Sequence, residues 1–300
     1  MVHFSIKSRP VVLFLLVGML SACAARELRK GQDYFNEAAA IENRALFTSV
    51  GDNPEASPVD AIAALNKYRL AEASLLKQLE KDARELKADK LYGSTYVLLA
   101  MAQWRISDLE GNALSEKEKP SLSKKSAEEL QPTENNAKRR QTLLATINTI
   151  SANKKNWTLG TRDRVISHAL FGFYDHDGGR MAKDYDRARE WFTSALDRFD
   201  EAIETNNVPP NHPVRVYIAM AKLRTLASWL LASYSSGLTD QSTIKDVNTI
   251  NDRVKKTVCS IQSFYRAQTE YSRQLKSRIN TLLVPIGLDI PNERACEKIQ

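Results

Sequence analysis

The chain has 300 residues, with 43 Lys and Arg against 36 Asp and Glu, for a formal net charge of +7. The basic residues are spread among acids without a clustered stripe or interleaved aromatics, which argues against nucleic-acid binding and reads as solvated helix faces. Such a length can bury a core as one large domain or two small ones, so neither a structural metal nor a dense disulfide scaffold is needed.

Lys7 and Arg9 open a short cationic stretch, followed by an apolar run from Val11 to Leu20 and then by Ser21 and Ala22. That is the layout of an export signal. The run is about ten residues, whereas a membrane-crossing helix needs about twenty. Leu20, Ser21, Ala22 and Cys23 resemble the lipobox of bacterial lipoproteins, in which small residues admit the chain to a signal peptidase and the cysteine thiol is first alkylated by a diacylglyceryl group. The resemblance implies a signal peptide over residues 1–22 and a mature chain that starts at a lipidated Cys23, carrying palmitate-type acyl chains. Their burial contributes about 0.8 kcal/mol per CH₂ and tethers a body to a membrane without embedding it. Ala24, and not the aspartate that retains lipoproteins at the inner membrane of enteric-type bacteria, implies the periplasmic face of the outer membrane. Loss of Lys7 and Arg9 with the signal lowers the net charge from +7 to +5.

Only 11 Gly and 10 Pro occur, clustered between long stretches rich in Ala, Leu, Lys, Glu and Arg, which predicts an all-α protein. A first helix is expected from Gln32 to Thr48, on a stripe of Phe35, Ala38, Ala39, Glu42 and Leu46, ended by Gly51 to Pro54. Ser57 before Pro58 marks a capped start. Ile62, Leu65, Leu75, Leu79 and Leu86 then predict one long amphipathic helix to about Asp89. A second, from Leu91 to Leu109, carries Val97, Met101, Trp104 and Ile106 and should pair with it as a hairpin. These elements form an N-terminal region over residues 23–109.

The pattern fails over residues 110–136, with Gly111, Pro120, Pro132 and several Ser and Lys, so an exposed linker is expected there. A C-terminal region, residues 137–300, opens with a helix from about Thr133 to Ala152. Two more are expected from Thr161 to Tyr174 and from Met181 to Glu204, with Asp175, His176, Asp177, Gly178 and Gly179 as the turn between them. Val214 to Tyr234, the most apolar helix, has only Arg215, Lys222 and Arg224 charged and should be buried on most sides. From Thr239 or Asp240 a long final helix should reach the break at Pro285 and Gly287.

No catalytic constellation is visible: no paired histidines with a glutamate on one helix, no serine between glycines, and no glycine-rich phosphate loop. His168, His176 and His212 lie far apart in sequence, and Arg180 and Asp186 stand where a calcium loop opened by Asp175 and Asp177 would need glycine and glutamate. The expectation is therefore a non-enzyme with no metal and no cofactor. Of the tryptophans, Trp104, Trp191 and Trp229 fall on apolar helical stripes, whereas Trp157 follows Lys154, Lys155 and Asn156 and is a candidate for exposure.

Cys259 and Cys296 could pair in an oxidising periplasm or remain two buried thiols. An unbroken helix from Cys259 to Val284 would travel about 37 Å. The residues from Pro285 to Cys296 span at most about 40 Å. A bridge therefore needs an almost fully extended return or an earlier end to the helix.

The stretch from His168 to Ile203 resembles a tetratricopeptide-type hairpin. Ala169, Gly172 and Tyr174 mark its first helix, and Tyr185, Ala188, Phe192, Ala195 and Leu196 its second, with small residues admitting close approach. No regular period runs through the chain, so an irregular array of antiparallel helical hairpins is implied. Helical lipoproteins of this kind resemble the T-component lipoproteins of TRAP transporters and, more distantly, outer-membrane assembly adaptors. The resemblance implies a scaffold that binds a periplasmic protein partner, with Ile166, Ala169, Phe173 and His176 as a concave binding face. The alternative is a protein that binds, or weakly hydrolyses, a small ligand or cell-wall glycan.

Overall fold

The computed structural model describes residues 28–42, 58–111, 136–236, 241–266 and 269–298. The expected signal peptide, Cys23 and nearly all of the expected linker lie outside them. The protein is all-α, with no strand among the described residues. Helix α1 covers residues 28–42. It is followed by α2 (Pro58–Lys81), α3 (Ala83–Ala88), α4 (Tyr92–Gly111), α5 (Asn136–Asn153), α6 (Thr161–Met181), α7 (Tyr185–Thr205) and α8 (Val214–Ser235). The remainder are α9 (Gln241–Ser260), α10 (Gln262–Arg266), α11 (Glu270–Leu283), a 3-10 turn (Val284–Ile286) and α12 (Glu293–Glu297).

One core joins residues from both sides of the expected linker: Phe35, Leu65 and Trp104 from one, Leu143, Phe173 and Ile218 from the other. A second core gathers Phe192, Leu226, Leu230, Val258 and Ile279. Helix α8 serves both, sending Val214, Ile218 and Ala221 into the first and Val216, Leu223 and Leu230 into the second. Each Val, Leu or Ile among them that is fully removed from water contributes about 1.5–3 kcal/mol, and this two-sided demand explains the nearly continuous apolar sequence of α8.

Two expectations are corrected. Asp175 to Gly179 form no turn, because α6 runs through them to Met181. The glycines serve packing instead: a methyl on Gly178 would stand 2.8 Å from the Trp191 ring, and one on Gly179 would stand 2.6 Å from Phe192. The chain reverses later, where Ala182 and Asp184 are extended and Asp184 caps α7 by accepting from the backbone N–H of Arg187 at 2.8 Å. The stretch from Pro58 to Asp89 is likewise interrupted at Asp82.

The final helix is also not continuous. It pauses at Ile261, resumes as α10, and restarts once more as α11, whose cap Thr269 accepts from the Ser272 N–H at 3.1 Å while the Ser272 hydroxyl donates to the Phe264 carbonyl at 2.8 Å. The interruption lets the chain fold back, and Gly287, in the left-handed region at φ 72°, turns it again. Cys296 on α12 thereby meets Cys259 on α9 in a disulfide with a Cα–Cα separation of 5.3 Å.

A cleft lined by aromatic rings and arginines

Helices α1, α2, α4, α6, α7, α8 and α11 enclose a cleft of about 580 Å³, within the range that holds a drug-sized ligand. Its apolar wall is a run of ring contacts. Phe173 lies with its centroid 4.1 Å from Trp104, 5.0 Å from Phe199 and 5.9 Å from Tyr217. The Tyr217 hydroxyl donates to the Met101 sulfur at 3.6 Å. Guanidiniums reach the lining from several helices: Arg105 on α4, Arg162 on α6, Arg224 on α8 and Arg278 on α11.

A charged node backs this wall. Asp108 on α4 accepts from Arg105, from Arg180 at 2.5 Å, and pairs with Arg224 at 3.6 Å. Burial pushes the Asp108 carboxyl up, but Arg105, Arg180 and Arg224 overcome it and hold the group well below the usual carboxylate range. Arg105 also grips Glu42 of α1, which accepts the Tyr68 hydroxyl at 2.5 Å. Breaking a buried pair of this kind by removing one partner costs about 3–5 kcal/mol, so the node fixes α1 and α4 against each other.

His176 and Asp177 follow on α6. The Thr225 hydroxyl donates to the Ala221 carbonyl at 3.0 Å, so it accepts the proton of His176 Nδ1, also at 3.0 Å. Burial pushes the imidazole down to about 3, leaving it neutral with Nε2 as an acceptor. Burial and the neighbouring Asp108 charge push Asp177 up to about 8, and neither of its carboxyl oxygens has a hydrogen-bond partner. Asp108, His176 and Asp177 place donor atoms within 4.8 Å of one another. Three guanidiniums already pair with Asp108, so this set is poorly matched to a cation.

The expected concave face is corrected. Ile166, Ala169, Phe173 and His176 are 2%, 0%, 2% and 4% exposed, so α6 turns them into the core rather than toward solvent. The reason is the hairpin itself: α6 is covered by α7 on one side and by α4, α5 and α8 on others. Phe173 and His176 nevertheless line the cleft, as Ile166 and Ala169 do not. Trp157 packs on the protein, its ring stacked 5.3 Å from Tyr96 and edge-on to Tyr92 at 5.7 Å. Trp229 donates from its indole to the Tyr185 hydroxyl at 3.2 Å, and that hydroxyl reaches Asp246 at 2.9 Å, linking α7, α8 and α9.

The sequence reading missed Arg105, Asp108, Arg278 and Tyr217. The available signal was charge in apolar surroundings, Arg224 in α8 being one such residue. No described helix is long and apolar enough to cross a membrane. The chain matches no family model, no curated protein and no solved structure.

Proposed function

We propose that this chain is a lipid-anchored, non-enzymatic binding protein of the bacterial periplasm, held at the outer membrane through Cys23, whose cleft receives a small ligand. The observation that carries this reading is the cleft itself: an apolar pocket of about 580 Å³ with convergent polar side chains is the usual form of a ligand site. The tether is short. Residues 24–27 separate Cys23 from Leu28, which is docked on Leu75, Leu86 and Leu99, so the helical body rides within roughly 18 Å of the lipid. Service to a transporter or to envelope assembly agrees with the resemblance to T-component lipoproteins.

A protein-binding adaptor is the second reading. It is favoured by Leu231 and Tyr234, one turn apart on α8 and 49% and 58% exposed. Filling the cleft separates the two. The small-molecule fraction of a periplasmic extract should raise the melting temperature of the wild-type chain but not of Ala221→Trp, a substitution in the cleft lining. A rise produced only by the protein fraction, and equal in both chains, would favour the adaptor.

A further inference from the structure

The tether fixes which end of the body meets the membrane. Residues 24–27 lead from Cys23 to Leu28, which is docked on Leu75, Leu86 and Leu99. The surface around that dock is the part of the fold nearest the lipid. It joins α3, the start of α4 and the loop over residues 154–160. Leu91 and Tyr92 border the Leu28 cluster, the Tyr92 ring meets Trp157 edge-on at 5.7 Å, and a methyl on Gly93 would stand 2.9 Å from Trp157. Residues 77–90 bring Lys77, Lys81, Arg84, Lys87 and Lys90, all exposed and none ion-paired with another described residue. Glu80, Asp82, Glu85 and Asp89 alternate with them in sequence. The loop adds Lys155, exposed, and Lys154, on which Glu201 acts, and has no acid of its own. The surface thus sets seven cations against four acids of its own, whereas the whole chain has 43 against 36.

A second observation comes from the rings. Tyr92, Tyr96 and Trp157 are half-buried, with Trp157 stacked on Tyr96 at 5.3 Å, so each keeps one part packed and another in water. Tyrosine and tryptophan in that state settle at the headgroup level of a bilayer. The Lys87 ammonium stands 4.8 Å from the centroid of the Tyr92 ring, which puts cation and ring on one face. Lys90 holds the turn before α4 at φ 59°, in the left-handed region that glycine or asparagine usually occupies.

We propose that this face docks on an anionic bilayer, with Lys87, Lys90 and Lys155 among the lipid phosphates and Tyr92 and Trp157 at headgroup depth. This rests on the reading of Cys23 as the anchor and adds an orientation: the body lies against the membrane instead of hanging from its tether. A tether of residues 24–27 holds the face at high effective concentration over the lipid, so contacts too weak to recruit a free protein suffice to orient an anchored one. Each cation near an anionic surface favours the docked state about fivefold, and salt screens that attraction.

The test places a bimane fluorophore on the lipidated full chain in nanodiscs whose lipids carry a nitroxide quencher on the headgroup. With Cys259 and Cys296 bridged and Cys23 acylated, an introduced cysteine is the sole free thiol. Thr158→Cys labels the loop, and Lys183→Cys labels the far end of α6, about 30 Å away, both at exposed positions. In discs containing phosphatidylglycerol the label at 158 should be quenched and the label at 183 should not. Discs of phosphatidylcholine alone, or salt at about 1 M, should release the label at 158. Combining Lys87→Gln, Lys90→Gln and Lys155→Gln should weaken docking roughly a hundredfold without moving the melting temperature. Combining Lys255→Gln, Lys256→Gln and Lys276→Gln, which removes equal charge from exposed positions elsewhere, should leave docking unchanged. Equal quenching at the two labels, none at 158, or the same quenching in neutral and anionic discs would overturn the proposal. Intact mass reports the anchor separately: if Cys23 proves unacylated, binding of that chain to anionic but not neutral discs keeps the face and discards the tether, and binding to neither discards both.

Discussion

Phe173→Ala distinguishes a packed wall from a solvent-facing groove. The ring is 2% exposed and touches Trp104, Phe199 and Tyr217. Deleting a phenyl group from such a position costs about 3–5 kcal/mol, the larger values belonging to sites that cannot relax or fill with water. Here the vacated space would join the existing cleft, so water enters and the loss should fall near the lower end, about 3 kcal/mol. For a chain of this size that corresponds to a fall of roughly 6–12 °C in melting temperature. Urea unfolding followed by circular dichroism should show a lower midpoint with an unchanged slope. A loss below about 1 kcal/mol would mean that the ring is not packed as described, and would return Ile166, Ala169, Phe173 and His176 to a solvent-facing surface.

Asp177 and the disulfide give further expectations. The Asp177 carboxyl titrates near 3.8 in an unfolded chain and at about 8 in the fold. Between those values the folded state holds a proton that the unfolded state has lost, so this group makes stability fall as pH rises from about 4 to 8. Asp177→Asn should remove that component, and parallel stability–pH curves for the two proteins would refute it. The Cys259–Cys296 bond spans 37 residues, for which loop entropy gives about 4 kcal/mol. Reductant should lower the urea midpoint accordingly, and two freely alkylatable thiols in protein isolated without reductant would contradict the bond.

What the sequence made legible was local. The bounds of α8 follow from three prolines before Val214 and an apolar run too long for a strand, and the stripe of α7 shows Ala188, Phe192, Ala195 and Phe199 at helical spacing. Gly178 and Gly179 misled because their usual role is to turn the chain. Within α6 each costs about 1 kcal/mol of helix propensity, a cost offset by contact with Trp191 and Phe192, aromatic side chains on a different helix. The pause at Ile261 left no breaker in the sequence, and Thr269 ahead of Glu270 was a cue, as a cap, only to the later start of α11. The cleft was illegible for a different reason. Arg105, Arg162, Arg224 and Arg278 sit on four helices with ordinary spacing in each, and only tertiary packing brings them to one lining.

Mass spectrometry of the protein drawn from its own membrane tests the central claim most directly. Under denaturing conditions the account predicts a chain that begins at Cys23 with its added mass confined to that residue as acyl chains. Under native conditions it predicts a further small non-covalent mass, present on the wild type and absent from Ala221→Trp. An unmodified Cys23 would contradict the anchor, and a wild-type chain with no bound small molecule, or one retained equally by Ala221→Trp, would contradict the cleft as its binding site.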